Sequence, residues 1–315
     1  MLTRRHIRVK VMQCVYALTQ SQDDSLQKQE KFLKVSIENM YSLYLLMLSL
    51  LAELHQFAEN QVQLSSKKYL ASDAEDYPNL QKFVKNKLLL QIANNKLLKE
   101  ELAKRKLKNW YLNEEYVKII YKEIVASKSY KKYMATPTST YEDDVALIVG
   151  LFRGIIAPNE KIYDYFEDDK LTWVDDIPII NTFILRKLKK VTQDETESYF
   201  LPELLKDEED MVFAKKLLTK TLLNDASFVK EIEGKTPNWD KDRIADIDAI
   251  LLKMAICELL NFSSIPEKVT INEYLEIAKE YSTPKSSIFI NGILDKLVKE
   301  YKADGKLKKI GRGLL

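Results

Sequence analysis

Residues Trp239 to Lys296 read WDKDRIADIDAILLKMAICELLNFSSIPEKVTINEYLEIAKEYSTPKSSIFINGILDK, and this stretch decides the fold. Leu251, Ala255, Leu259 and Phe262 recur at helical spacing, which predicts a helix with one buried face. Thr270 stands three residues before Glu273, the spacing of a capping box in which each side chain satisfies an orphan backbone N–H. Thr283 precedes Pro284, so a further helix is expected there, with threonine as N-cap and proline in first position. That start carries Lys285 and Ser286, and outward-facing amides at a helix N-terminus make a place for a phosphate.

Composition fits a helical protein that meets a polyanion. The 315 residues are 46% hydrophobic, enough to bury a core or two, and only 7 Gly and 8 Pro leave little room for turns. The formal charge of +2 is unevenly placed. Residues 1–22 carry four basic groups and no acid, and residues 296–315 carry seven basic against two acidic. Residues 81–132 carry 14 basic against 5 acidic, so the rest of the chain is strongly acidic. Such asymmetry predicts a basic side for nucleic acid and an acidic side for something else.

Several classes of protein are set aside. Cys14 and Cys257 fall on apolar helical positions and are expected to be reduced core thiols, not a disulfide framework. His6 and His55 have no Cys or carboxylate at metal spacing, so no metal and no other cofactor is expected. The acidic pairs Asp143-Asp144, Asp168-Asp169 and Asp175-Asp176 read as helix caps, and no catalytic group or glycine-rich phosphate loop is recognised, so an enzyme is not expected. The longest uncharged run, Asn39 to Ala52, is short of the roughly 20 residues of a membrane span. Arg8 and Lys10 interrupt any signal-peptide core, and a cytoplasmic location away from membranes is expected.

The chain also repeats itself. Trp110, Trp173 and Trp239 each precede a strongly periodic helix, and the second and third units align without gaps at an offset of 66 residues. Glu142 then matches Glu208, Asp144 matches Asp210, Leu151 matches Leu217, and Ile184, Leu185 and Lys187 match Ile250, Leu251 and Lys253. Each unit opens on an acidic cluster that complements the positive end of a helix dipole. The expectation is a duplicated helical hairpin, with a weaker third copy whose first helix is near 36–60. Gly150 and Gly154 are spaced for close helix packing.

In their order and spacing, three segments resemble the C-terminal half of the NusB family: I-P-x-K-V-x-I-N-E at Ile265–Glu273, E-I-A-K-x-Y at Glu276–Tyr281 and S-x-x-F-I-N-G-I-L-D at Ser286–Asp295. The matching region is roughly a third of the chain. The opening R-R-H-I-R-V-K-V-M-Q-C-V-Y resembles the family's arginine-rich first helix. The fold so implied is all-α, a NusB-like helical bundle enlarged by the duplicated hairpins. Residues 1–22 would pack with 201–303 as the NusB-like domain, 23–200 would be an inserted helical region containing the repeat unit 142–188, and 304–315 a basic tail.

NusB proteins are RNA-binding factors of bacterial transcription antitermination. The resemblance therefore implies binding of boxA-type single-stranded RNA from ribosomal RNA leaders, together with the ribosomal protein NusE, within a transcription elongation complex. Val11, Cys14, Val15 and Leu18 form an apolar stripe on the first helix. Arg4, Arg5 and Arg8 lie off it, so they are expected to face solvent and to be dispensable for folding. Guanidinium forks pair bidentately with phosphate, which assigns these three and Lys10 to RNA. Gln13 and Tyr16 match the family pattern, with helix packing as the plainer role for both. Lys285, Ser286 and Phe289 belong to a region that in the family lies near the arginine-rich helix, although Lys285 replaces an acidic residue common there. Phe289 could equally be a core side chain, and Gly292 is expected at a close helix–helix approach, since glycine inside a helix costs about 1 kcal/mol. Asp248 matches an acidic family position and is assigned to the NusE face. The competing reading is a helical protein–protein scaffold without specific RNA binding, and RNA retention at two salt concentrations separates the two.

Overall fold

The computed structural model describes residues 1–21, 25–67, 79, 81–235 and 245–314. Among them every long element is an α-helix and there is no strand. Two compact units form, one of Met1–Ile37 with Leu205–Leu315, the other of Glu38–Leu204.

The first unit is organised around α1 (Arg4–Ser21). Residues 7–12 of this helix are all buried, so it has no solvent face over that length. Its neighbours are α11 (Glu208–Leu223), α13 (Asp246–Asn261) and α14 (Glu267–Tyr281), while α15 (Ser286–Ala303) packs on α13 and α14. The periodic positions Leu251, Ala255, Leu259 and Phe262 are buried as the spacing requires.

Two helix starts differ from the sequence expectation. Helix α14 begins at Glu267, so Thr270 is inside it, fully buried, and donates to Glu258 at 2.9 Å rather than capping. Helix α15 begins at Ser286, with Pro284 in the turn before it. The Ser286 hydroxyl expected at a phosphate place there is engaged from within. The buried carboxylate of Asp248 accepts from the hydroxyls of Ser282 at 2.6 Å and Ser286 at 2.7 Å.

The second unit is built on α2, whose full span is Leu26–Lys67. Residues 40–51 of α2 are buried without interruption. By length and composition its Leu26–Leu64 segment could cross a membrane, which the count of uncharged residues alone did not suggest, yet 78% of its most apolar window is buried inside the protein. Two tryptophans bind its backbone. The indole N–H of Trp173 donates to the Asn39 carbonyl and that of Trp110 to the Leu46 carbonyl, each at 2.9 Å. The acceptors are seven residues, about two helical turns, apart on one side of the helix. Phe166 lies between the two indoles, 5.8 Å from Trp110 and 5.4 Å from Trp173.

The same three-helix order appears in both units. In the second it is α8 (Tyr141–Leu151, continued as a π-helical turn Phe152–Ile156), α9 (Glu160–Asp169) and α10 (Asp176–Lys190). In the first it is α11, α12 (Asp225–Glu233) and α13. At the 66-residue offset Leu151 and Leu217, Phe152 and Leu218, Ile162 and Phe228, Phe166 and Ile232, and Ile184 and Ile250 are all buried. Helix α10 packs on α8 as α13 packs on α11. Trp239 and Asp242 lie outside the described residues. The helix expected to open a weaker third copy falls inside α2, residues 36–60 being the interior of one 42-residue helix. The glycine expectations also fail: a Cβ at Gly150, Gly154 or Gly292 would meet nothing within 4 Å, so none marks a close helix approach.

One backbone position is strained. Helix α4 (Lys96–Lys104) ends in a Schellman turn, with Leu107 N–H bonded to the Leu102 carbonyl and Lys106 N–H to that of Ala103. Lys106 sits at φ 56, the one left-handed non-glycine among the described residues. Glycine is the usual occupant of that position, and a side chain there costs about 1–2 kcal/mol.

Candidate functional site

The arginines of α1 are held by carboxylates. Arg4 Nε donates to Asp210 at 3.0 Å, and its guanidinium lies 5.2 Å over the Phe213 ring. Arg5 makes a two-pronged pair with Glu273 at 2.9 and 3.0 Å. Arg8 does the same with Glu258 at 2.7 and 2.8 Å, and that carboxylate also accepts from Thr270 and from the Tyr274 hydroxyl. Burial opposes the charge on Arg8, but the hydrogen bonds and charge of Glu258 outweigh it and hold the guanidinium pKa above its ordinary value. Burial likewise pushes Glu273 upward, while the Arg5 hydrogen bonds and the Arg8 charge prevail and hold it below the usual carboxylate range. Desolvation drives the Tyr274 phenol well above its ordinary value, so it acts as a donor to Glu258.

These facts divide the α1 candidates. Arg8 is 2% and Lys10 1% exposed, which overturns the expectation that Arg8 faces solvent and leaves Lys10, an RNA candidate, inside the protein. The apolar stripe suggested an outer face, but helices pack around residues 7–12 on every side, and a buried cation is tolerated only with a partner of opposite charge. Arg8 is therefore part of the core, paired there with Glu258. Arg4 and Arg5 keep 39% and 41% of their side chains accessible. With Thr3, His6, Pro266 and Val269 they line an open groove of about 720 Å³ between the start of α1 and the α13–α14 turn. His6 and the turn Ser264–Pro266 are members of this groove that the sequence reading did not assign. The C-terminal tail braces the same turn: Ile310 N–H donates to the Ser263 carbonyl, and a Cβ at Gly313 would stand 2.1 Å from that oxygen.

The remaining candidates lie elsewhere. Tyr16 is exposed and Gln13 half-buried further along α1. Lys285 is exposed and Phe289 half-buried at the start of α15, while Ser286 is 1% exposed and committed to Asp248. Asp248 is 5% exposed, so it offers no surface charge to a protein partner. The Ser282–Ser286 turn is fixed at the first turn of α13, and the groove is at the other end. Fourteen residues of helix, about 21 Å, separate Asp248 from Phe262. The structure thus places Arg4 and Arg5 together and Lys285 with Phe289 together, as two patches. Cys14 and Cys257 are both buried, and burial pushes their thiols up to about 12 and about 11. His55 lies in the second unit, bonded to the Val84 carbonyl, and no metal-binding cluster occurs among the described residues.

Fold and site define an all-helical protein in which an arginine-rich first helix is the hub of a bundle and opens a basic groove at its start. The family model described as NusB family matches residues 179–299. A transcription antitermination protein NusB of Salinibacter ruber is 45% identical over 103 residues, 33% of this chain and 64% of that protein. Its counterpart from Chloroherpeton thalassium is 39% identical over 130 residues, 41% and 62% of the two chains. That from Finegoldia magna is 42% identical over 90 residues, 29% and 66%. The chain therefore spans just under two thirds of the length of the relatives it matches. It belongs to the NusB family.

Proposed function

We propose that the protein is an RNA-binding transcription antitermination factor that takes boxA-type single-stranded RNA of ribosomal RNA leaders together with the ribosomal protein NusE. The observation that carries the reading is the groove at the start of α1, where Arg4 and Arg5 are half-accessible in a chain akin to proteins named for antitermination. Phosphates would exchange with Glu209 and Glu273 for the two guanidinium forks, and the exposed Tyr16 is free to stack on a base. Lys285 and Phe289 would meet the strand about 21 Å away along α13. Assembly, not chemistry, is the mechanism, and the cytoplasm is the place for it. The NusE face includes neither Asp248 nor another buried carboxylate.

A scaffold without RNA is the second reading, favoured by the fact that Arg4, Arg5 and Arg8 all already have carboxylate partners. Filter retention of a boxA-like RNA at two salt concentrations decides between them. Changing Arg4 and Arg5 to Ala, with Arg8 left in place, should lower affinity and reduce the salt slope by roughly 0.7 per lost contact. Wild-type protein that pairs with NusE but retains no RNA would establish the scaffold instead.

A further inference from the structure

The second unit carries a groove of its own, of about 610 Å³, between the end of α4 and the end of α9. Its lip is the segment Arg105-Lys106-Leu107-Lys108, and its floor includes Tyr165 and Trp173. Four side chains bring positive charge. Arg105 is anchored by Glu101 at 3.3 Å and lies 4.8 Å over the Tyr41 ring, and Lys170 lies 4.6 Å over Trp173. Lys106 and Lys108 are exposed. Asp168 and Asp169 line the opposite side, where Asp169 accepts from Asn109, so an anion is directed to the lysine lip.

Two observations point to a ligand there. The first is Lys106 itself. A lysine in the left-handed position of a Schellman turn is a standing strain that glycine would relieve, and the side chain so retained is a cation on the groove's lip. The second is Tyr165. Its hydroxyl oxygen accepts from Asn109 at 2.7 Å and from Asn113 at 3.1 Å, so both lone pairs are used and the O–H remains to donate. Such a groove offers donors and cations, and beside it Tyr111 and Leu112 are 84% and 71% exposed. Cations that track a phosphate backbone, with an aromatic face for a base, are the features that bind a single nucleic-acid strand without sequence readout.

We infer that this groove is a second contact for single-stranded RNA, in which Lys106 and Lys108 meet phosphates, Tyr165 donates to a phosphate oxygen and Tyr111 stacks on a base. The inference shares its ligand with the reading of the α1 groove but stands on residues of the second unit alone.

The test uses the full chain and a labelled single-stranded RNA of about 20 nucleotides, with 5′-AMP as competitor. Lys106→Gly should raise the melting temperature, because it relieves the left-handed strain, and yet weaken RNA binding, a combination that a structural role cannot produce. Together with Lys108→Ala it should reduce the salt slope by roughly 1.4, for two contacts at about 0.7 each. Tyr111→Ala should cost at least about fivefold in affinity, the low end of base stacking on an aromatic. Unchanged affinity and slope in the lysine variants, beside a loss in the Arg4/Arg5 variant, would overturn this groove and leave the α1 site standing. The opposite pattern upholds the groove and removes the α1 site. Wild-type protein that binds no RNA defeats both, and 5′-AMP competing as well as the strand would replace the strand by a mononucleotide.

Discussion

Asp210 and Asp144 stand 66 residues apart at the same place in two similar helical units, both buried, and they do opposite things. In the first unit Asp210 receives Arg4, so the socket at the start of α11 holds a charged helix in place. In the second, Asp144 is filled by neutral donors: the Tyr133 hydroxyl at 2.6 Å, the Ser139 hydroxyl at 2.6 Å and the backbone N–H of Lys87 at 2.7 Å. That last donor begins α3 (Lys87–Ala93), which packs on α8 as α1 packs on α11. The same order of helices thus surrounds an arginine ladder in one unit and hydroxyl donors in the other. The difference teaches that the basic groove of the first unit is a property of its plug, not of the repeated socket.

The sharpest way to test the contrast is to break the ladder at its buried rung. Glu258→Ala leaves the Arg8 charge in the core without its partner, which should destabilise the protein by about 3–5 kcal/mol. Replacing the pair together, Arg8→Met with Glu258→Leu, should return most of that, since apolar residues of similar volume substitute well for a buried ion pair. Urea unfolding measures both. If Glu258→Ala is as mild as a surface change, the ladder is not what holds α1. Peptide-resolved hydrogen exchange should place the loss in α1 and α13, with α3 and α8 retaining their protection.

The sockets themselves are the next comparison. Asp144→Asn removes charge from an acceptor with three short bonds and should cost about 2–3 kcal/mol, within the range for hydrogen bonds to buried charged groups. Asp210→Asn should cost about 1 kcal/mol, because its Arg4 partner is 39% accessible and can turn to water or to Glu209. Equal losses at the two positions would mean that the sockets are energetically alike and that the contrast between plugs is only chemical.

Much of the fold was legible in the sequence because helical periodicity and the repeat both record burial. Leu251, Ala255, Leu259 and the 66-residue alignment needed no coordinates. The main failure had one cause: sequence spacing shows which residues share a face, but not whether the opposite face is also covered. An apolar stripe implies a solvent face, on which Arg8 is expected, and α1 has none over residues 7–12. Thr270 matched a capping box yet lies inside α14, bonded to a carboxylate twelve residues back that no local pattern could reveal. Ser286 and Asp248 satisfy each other across 38 residues, which buries a candidate phosphate ligand and a candidate partner residue together. The signal that could have warned of this was the presence of Glu258 and Glu273 at helical spacing from apolar residues, acids in want of cations.

The smallest effect is the pH dependence that separates the plugs. Glu273 has its pKa held below the ordinary 4.5 in the folded protein, where burial is outweighed by Arg5 and Arg8. The folded state therefore binds its proton less readily than the unfolded chain does. Its contribution is fully present above the unfolded value and is lost as pH falls through the folded one. Stability should accordingly decline as pH falls below about 4.5, by an increment of order 1 kcal/mol or less, the partial exposure of the Arg5 pair limiting it. Glu273→Gln should remove this increment and flatten the pH profile of the urea midpoint in that window. The mutation should leave the exchange protection of α3 unchanged, since the donors to Asp144 in the second unit carry no charge. A profile of unaltered slope in Glu273→Gln would show that the arginine ladder is held by Glu258 alone, and that the outer rung is open for a phosphate to take.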